Sequence, residues 1–288
     1  MTRILVSTGA LIGRPNGRDF RLIPTYAREL ACDGFEFMMY SDWYDKIDDI
    51  VALLKENNIS TPTYHCQKSI GEAISKGGEA NFEDAFSRFR TNASMASKMG
   101  VEKLVLHLWD GLTSDQNFEN NLNAYGELRD IADSFGLVLC VENVVCNKEN
   151  PMLHWKQLLD KYGDVSFVFD TKMAAFHHQL KDLYDPDNDI LYKEGHIKHF
   201  HVNDYAGGYM DWANLKTLPI GSGHIDFEEF FDFIGKTGYD DTFTIESTAF
   251  DSTGFVNTDM LNKEIAYIRE HVGRGQRKVT FLEKKTVF

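Results

Sequence analysis

FEDAFSRFRTNASMASKMG at residues 82–100 runs straight into VEKLVLHLW at residues 101–109, and the reading of this junction decides the fold. Phe82, Phe86, Phe89, Ala93 and Ala96 recur at intervals of three and four, so they share one helical face, and Gly100 stands where a C-terminal cap would. The stretch that follows is short, apolar and β-rich. NFENNLNAYGELRDIADSFG (117–136) and LVLCVENVV (137–145) repeat the pattern, with Gly136 in the place of Gly100.

Outward from this pair, further strand-like runs stand at RILVSTGAL (3–11), GFEFMMY (34–40), TPTYHCQ (61–67), VSFVFDTKM (165–173), IKHFHVNDY (197–205) and DTFTIESTA (241–249), eight in all. Helical crossovers between strands imply parallel pairing. No Pro/Ser-rich linker divides the chain, and the glycines of STGALIGRPNG (7–17) lack the GxGxxG spacing of an open dinucleotide-binding sheet. The expectation is a single (β/α)8 TIM barrel over residues 1–275, followed by a C-terminal tail, 276–288, whose basic character reads as solvated surface.

The 288 residues are 43% hydrophobic and 13% aromatic, ample for one packed core. A formal charge of -14 argues against nucleic acid or an anionic membrane as partner, because both are bound through clustered lysine and arginine. Cys32, Cys66, Cys140 and Cys146 form no CxxC pair and read as reduced thiols. The apolar start MTRILVSTGALIG is too short and too interrupted for a signal sequence, and no run reaches the length of a membrane span. The cytoplasm is the expected location, and a homo-oligomer is left open.

In such a barrel the chemistry sits at the C-terminal strand ends. Ionisable residues fall near that end in seven of the runs: Glu36, His65, His107, Glu142, Asp170, His201 and Glu246. In HFH, strand alternation points His199 and His201 the same way, and the spacing alone allows either a core role or a metal ligand. The acids in CVENV, VFDTK and TIEST are different, since an ionised carboxylate among apolar neighbours is costly without a cation. Strands lie about 5 Å apart, so acids on strands five, six and eight and a histidine on strand seven can converge on one ion. Such a set suits Mn2+ first, with Mg2+, Co2+ or Zn2+ as alternatives.

VEN, FDT, HVND, LPIGSGHIDF and TIES together resemble the xylose isomerase-like superfamily of sugar isomerases and epimerases, which also contains the metal-dependent apurinic endonucleases. The resemblance implies that Glu142, Asp170, His201 and Glu246 bind one divalent metal, that Glu142 and Glu246 also move protons, and that His199 is structural or supports the site. It further implies a sugar or keto-polyol substrate, with proton abstraction next to a carbonyl and a metal-stabilised enediolate. Two departures bear on substrate: Met173 stands where relatives often carry a histidine, and Gly207 where some ketose epimerases place an arginine.

His65, His107, Trp109, Lys172 and Glu36 are the candidate substrate contacts, and Tyr205 and Trp212 are weighed equally as packing residues or sugar-stacking rings. PIGSGHID reads as a tight turn with Asp226 capping the next helix rather than as a phosphate cradle, because no lysine or arginine accompanies the glycines. The expected activity is therefore a metal-dependent isomerase or epimerase. Alternatives are a non-catalytic metal- or sugar-binding barrel, a keto-inositol dehydratase and, furthest away, an apurinic endonuclease, whose three-metal cluster needs a histidine where Met173 stands.

Overall fold

Each strand-like run contributes one strand: β1 Arg3–Ser7, β2 Gly34–Met38, β3 Thr63–His65, β4 Lys103–Leu106, β5 Val138–Glu142, β6 Ser166–Asp170, β7 Ile197–Val202 and β8 Thr242–Ile245. All neighbours pair in parallel and in chain order, and β8 closes on β1, so the fold is a (β/α)8 barrel. The computed structural model describes the backbone of residues 2–285 and the side chains of residues 2–272. The helix Glu79–Met99 ends as its sequence predicts: Gly100 adopts φ 76° and donates its N–H to the carbonyls of Ala96 and Ser97. The last helix, Thr258–Lys285, runs across the expected 275/276 boundary. The side chains of the expected basic tail, and residues 286–288, lie outside the described residues.

Strand alternation divides the residues sharply. Ile4, Val6, Phe35, Phe37, Tyr64, Leu104, Leu106, Val141, Phe167, Phe169, Phe200 and Phe243 face the helices and form the main core. Inside the barrel the separate apolar cluster is only Val105, Cys140 and Val168. The other inward positions include Glu36, Thr63, His65, Lys103, Glu142, Asp170, His199, His201, Thr242 and Thr244, all buried. A barrel interior is ordinarily packed with branched apolar side chains. Here the polar groups must instead satisfy one another.

The loop that follows β7 shows this economy. Asp204 is fully buried, and its carboxylate accepts the backbone N–H groups of Tyr205 (2.8 Å), Gly221 (2.9 Å), Gly223 (2.8 Å) and Ile225 (3.1 Å). A Cβ on residue 223 would meet the Tyr205 carbonyl oxygen at 2.2 Å, which is why glycine is required there. Asp226 caps the helix Phe227–Thr237 through the N–H of Glu229, as expected. The glycine turn thus already encloses an anion of its own chain, and the turn reading holds over the phosphate cradle.

Candidate metal and active site

Glu142 ends β5, Asp170 ends β6, His201 lies one residue before the end of β7, and Glu246 follows the last residue of β8. Register brings them to one level: Asp170 pairs with His201, and His201 with Thr244, two residues before Glu246. One ligand atom from each of Glu142, Asp170, His201 and Glu246 lies within 4.8 Å of the others. His201 Nδ1 looks into this group, 3.2 Å from Glu142 Oε1, 3.6 Å from Glu246 Oε2 and 3.9 Å from Asp170 Oδ2.

Two asparagines hold the acids in place. Asn143 Nδ2 donates to the Asp170 carbonyl (3.0 Å), while its Oδ1 accepts the Asp170 N–H (2.6 Å). Asn203 Nδ2 donates to Asp170 Oδ2 (3.0 Å), and its Oδ1 accepts the Glu246 N–H (3.1 Å). Both stand within VEN and HVND, immediately after or two residues beyond a candidate ligand. That adjacency is the signal by which their role could have been read.

His65 and His107 meet the other oxygen of Glu142, with Nε2 atoms 3.4 Å and 2.8 Å from Oε2. Their Nδ1 atoms face acceptors: His65 the Cys66 carbonyl (2.9 Å), His107 the Asp110 carboxylate (2.8 Å). Each Nδ1 therefore carries a proton, so Nε2 is the nitrogen that offers a lone pair to a cation, in His107 once the second proton held by Glu142 and Asp110 is displaced. The close approaches lack hydrogen-bond alignment, and His65 Nε2, His107 Nε2 and Glu142 Oε2 are buried atoms without a hydrogen-bond partner among the described residues. Three converging lone pairs of this kind suit a cation, and the Asp110–His107 pair is the usual carboxylate support of a ligating histidine.

The acids set the electrostatics. Burial opposes charge on His201, yet Glu36, Glu246 and Glu142 hold its pKa well above the ordinary histidine range. Burial likewise works against charge on His107, and Glu142 with Asp110 overcomes it and pushes the pKa up to about 9. Burial, helped by Glu142 and Glu246 and opposed by Lys172, raises Asp170 to about 6. For Glu142 burial acts upward, but His107 and His201 reverse it and hold the carboxyl well below its usual range. Cation binding must displace the imidazole protons, so Mn2+ affinity should climb between about pH 6 and 9, by roughly tenfold per pH unit for each proton displaced. Calorimetry in buffers of different ionisation enthalpy measures that release, and a pH-independent affinity would count against this centre.

The remaining expected contacts are distributed differently. Glu36 is fully buried beneath His201, where Oε2 bonds two imidazoles and Oε1 has no hydrogen-bond partner among the described residues. Trp109 is also fully buried, donates from Nε1 to the Val144 carbonyl (3.0 Å) and packs edge-on against Phe118 and His154. Lys172 lies near Asp170 but donates to Thr217 Oγ1 (3.0 Å). Met173 is buried on the helix that Asp170 caps. Tyr205 is a packing residue, its hydroxyl on the Gly208 carbonyl, whereas Trp212 is exposed. Sequence reading missed Lys68, an exposed residue three positions after His65. Although the residue reaches solvent, protein atoms crowd its ammonium and disfavour the charge, and Glu246, Glu142, Asp110 and Asp170 outweigh that and raise its pKa.

Residues 24–271 match the family described as the xylose isomerase-like TIM barrel. The chain belongs to this family. Comparison with curated proteins by sequence gives no match. Among solved structures of similar fold, the D-allulose 3-epimerase from Methylomonas sp. in complex with D-allulose is 15% identical with a TM-score of 0.68, covering 94% of this chain and 97% of its own. An L-ribulose 3-epimerase is 14% identical with a TM-score of 0.70, covering 98% of each chain. The IolI protein with a bound zinc atom is 13% identical with a TM-score of 0.68, covering 94% of this chain and 98% of its own. These likenesses establish a shared barrel fold over nearly the whole chain.

Proposed function

We propose that this protein is a divalent-metal-dependent isomerase or epimerase of a ketose or keto-polyol. The observation that carries the reading is the convergence of Glu142, Asp170, His201 and Glu246 within 4.8 Å at the C-terminal ends of the last four strands. Epimerase activity in the names of two structures of similar fold supports it. Mn2+ is the first choice for an oxygen-rich set with one imidazole, and the zinc in the IolI structure keeps Zn2+ as an alternative. When bound, the cation supplies Lewis-acid stabilisation of the enediolate oxygens of the substrate.

The protein supplies the proton carriers and their orientation. Glu246 has the more accessible side chain, 11% exposed against 1% for Glu142, and its backbone is fixed by Asn203. Its carboxylate takes the proton from the carbon next to the carbonyl on the face that meets β8. Glu142 serves the other face, oriented by His201, His107 and His65. Lys68 stands at the mouth, where its charge favours a substrate oxygen that gains negative charge. The Asp204-filled glycine turn and the net charge of -14 support an unphosphorylated small molecule over nucleic acid. Four unpaired thiols are compatible with the cytoplasm.

A second reading concerns stoichiometry. The three unpartnered atoms of His65, His107 and Glu142 support a second cation that shares Glu142 with the first, in which case the two histidines are ligands rather than substrate contacts. Incubation with Mn2+ and a panel of ketoses, hydroxypyruvate and keto-inositols in deuterium oxide tests both readings when metal content is measured in parallel. The expected result is deuterium at the carbon beside the carbonyl of at least one compound. Metal uptake without label in any of them would leave the non-catalytic binding barrel. One or two ions per chain decides the stoichiometry.

A further inference from the structure

Below His201 the barrel interior carries a directed series of hydrogen bonds that the mechanism does not use. Lys103 Nζ, at the floor of the barrel, donates to Thr242 Oγ1 (3.0 Å) as well as to the Lys198 carbonyl (2.8 Å). Glu36 is a carboxylate that can only accept, so His199 donates to it from Nε2, and because burial keeps the ring neutral its Nδ1 accepts the hydroxyl proton of Thr242, 2.5 Å away. His199 then carries its ring proton on Nε2, 3.0 Å from Glu36 Oε2 and also 3.0 Å from Thr244 Oγ1. The same Glu36 oxygen lies 3.1 Å from His201 Nε2. Each group from Lys103 to Glu36 is buried.

The direction of this series fixes the upper end. Glu36 Oε2 accepts from both imidazoles, so Nε2 of His201 keeps its proton, while Nδ1, which donates to Glu142 Oε1 (3.2 Å) in the charged ring, is the nitrogen turned toward Glu142, Asp170 and Glu246 and the one that would give up its proton to a cation. We infer that Glu36, itself held by His199, is the positioning carboxylate of the metal centre: it fixes His201 as an Nδ1 ligand and strengthens that nitrogen as a donor, and it does not contact substrate. The inference rests on the proposed metal-dependent function. A carboxylate behind a ligating histidine typically supports metal affinity by about 10- to 100-fold.

The test uses the full-length protein and Mn2+ alone as the probe, titrated by calorimetry into wild type, Glu36→Gln and Glu36→Leu. The expected result is a Kd raised about tenfold in Glu36→Gln, where the amide oxygen still accepts one N–H, and about 100-fold in Glu36→Leu. Unchanged Mn2+ affinity in both variants overturns the inference, whether it comes with a raised KM, as a substrate contact would give, or with a lowered melting temperature alone, as a structural role would give. The nitrogen-15 spectrum of wild type loaded with diamagnetic Zn2+ gives a readout that depends on no variant: His201 should be coordinated through Nδ1 and protonated on Nε2, and coordination through Nε2 overturns the inference. A wild type that binds neither ion removes the proposed function together with it.

Discussion

Glu246→Gln should lower turnover by about 10²- to 10⁴-fold, the usual cost of a lost acid-base group. The substitution keeps the size of the side chain and leaves the Asn203 contact to its backbone N–H intact. One metal oxygen ligand and three neighbours remain, so metal content, measured alongside, should fall less than the rate. With Glu142 still present, deuterium should enter only the epimer whose proton faces β5. Glu142→Gln should behave differently, because Glu142 contacts His201 through one oxygen and His65 and His107 through the other. It should lose metal as well as rate. Equal labelling of both epimers by fully metallated Glu246→Gln would show that the proton moves by another route and would end the two-glutamate mechanism.

The second large effect concerns stability. Asp204→Asn should destabilise the fold by about 3–6 kcal/mol, because the new amide can accept through one atom only and two of the four charge-assisted N–H bonds, worth about 1.5–3 kcal/mol each, are lost. The donors concerned are buried or half-buried backbone groups, and the amide hydrogens of the variant would point at them. Denaturant unfolding monitored by circular dichroism measures the change. A loss below about 1 kcal/mol would mean that the glycine turn holds its shape without the carboxylate.

The fold was legible because alternation and helical spacing are local properties of the chain. The helix and glycine cap at residues 79–100 needed nothing beyond the positions of Phe82, Phe86, Phe89, Ala93 and Ala96. The gathering of Glu142, Asp170 and Glu246 followed in the same way, since parallel strands carry their ends to one side, whereas the choice of His201 over His199 came from the resemblance of HVND to the family. Roles inferred past a strand end were less secure. Trp109 lies beyond the last residue of β4, Leu106, so strand parity no longer governs it, and the chain turns the indole into the packing around Phe118.

By itself, then, the sequence determined an eight-stranded barrel, its polar end and the three acids that gather there, because residue period and the alternation of strand and helix are read along the chain, and its resemblance to the family added His201. Only the tertiary structure decided that Glu36 lies beneath His201. Glu36 is two residues short of the end of β2, and the stagger between strands, which no single run encodes, sets it level with the imidazoles of β7. The meeting of His65 and His107 with Glu142 was decided there as well: β4 is the direct neighbour of β5 and β3 lies one strand further, but only the register between them and the side-chain torsions aim both Nε2 atoms at one carboxylate oxygen. So was the anion inside the glycine turn: Asp204 and Gly221 are seventeen residues apart, and only the folded loop brings a carboxylate to four N–H groups that a sequence reader could as well have assigned to phosphate.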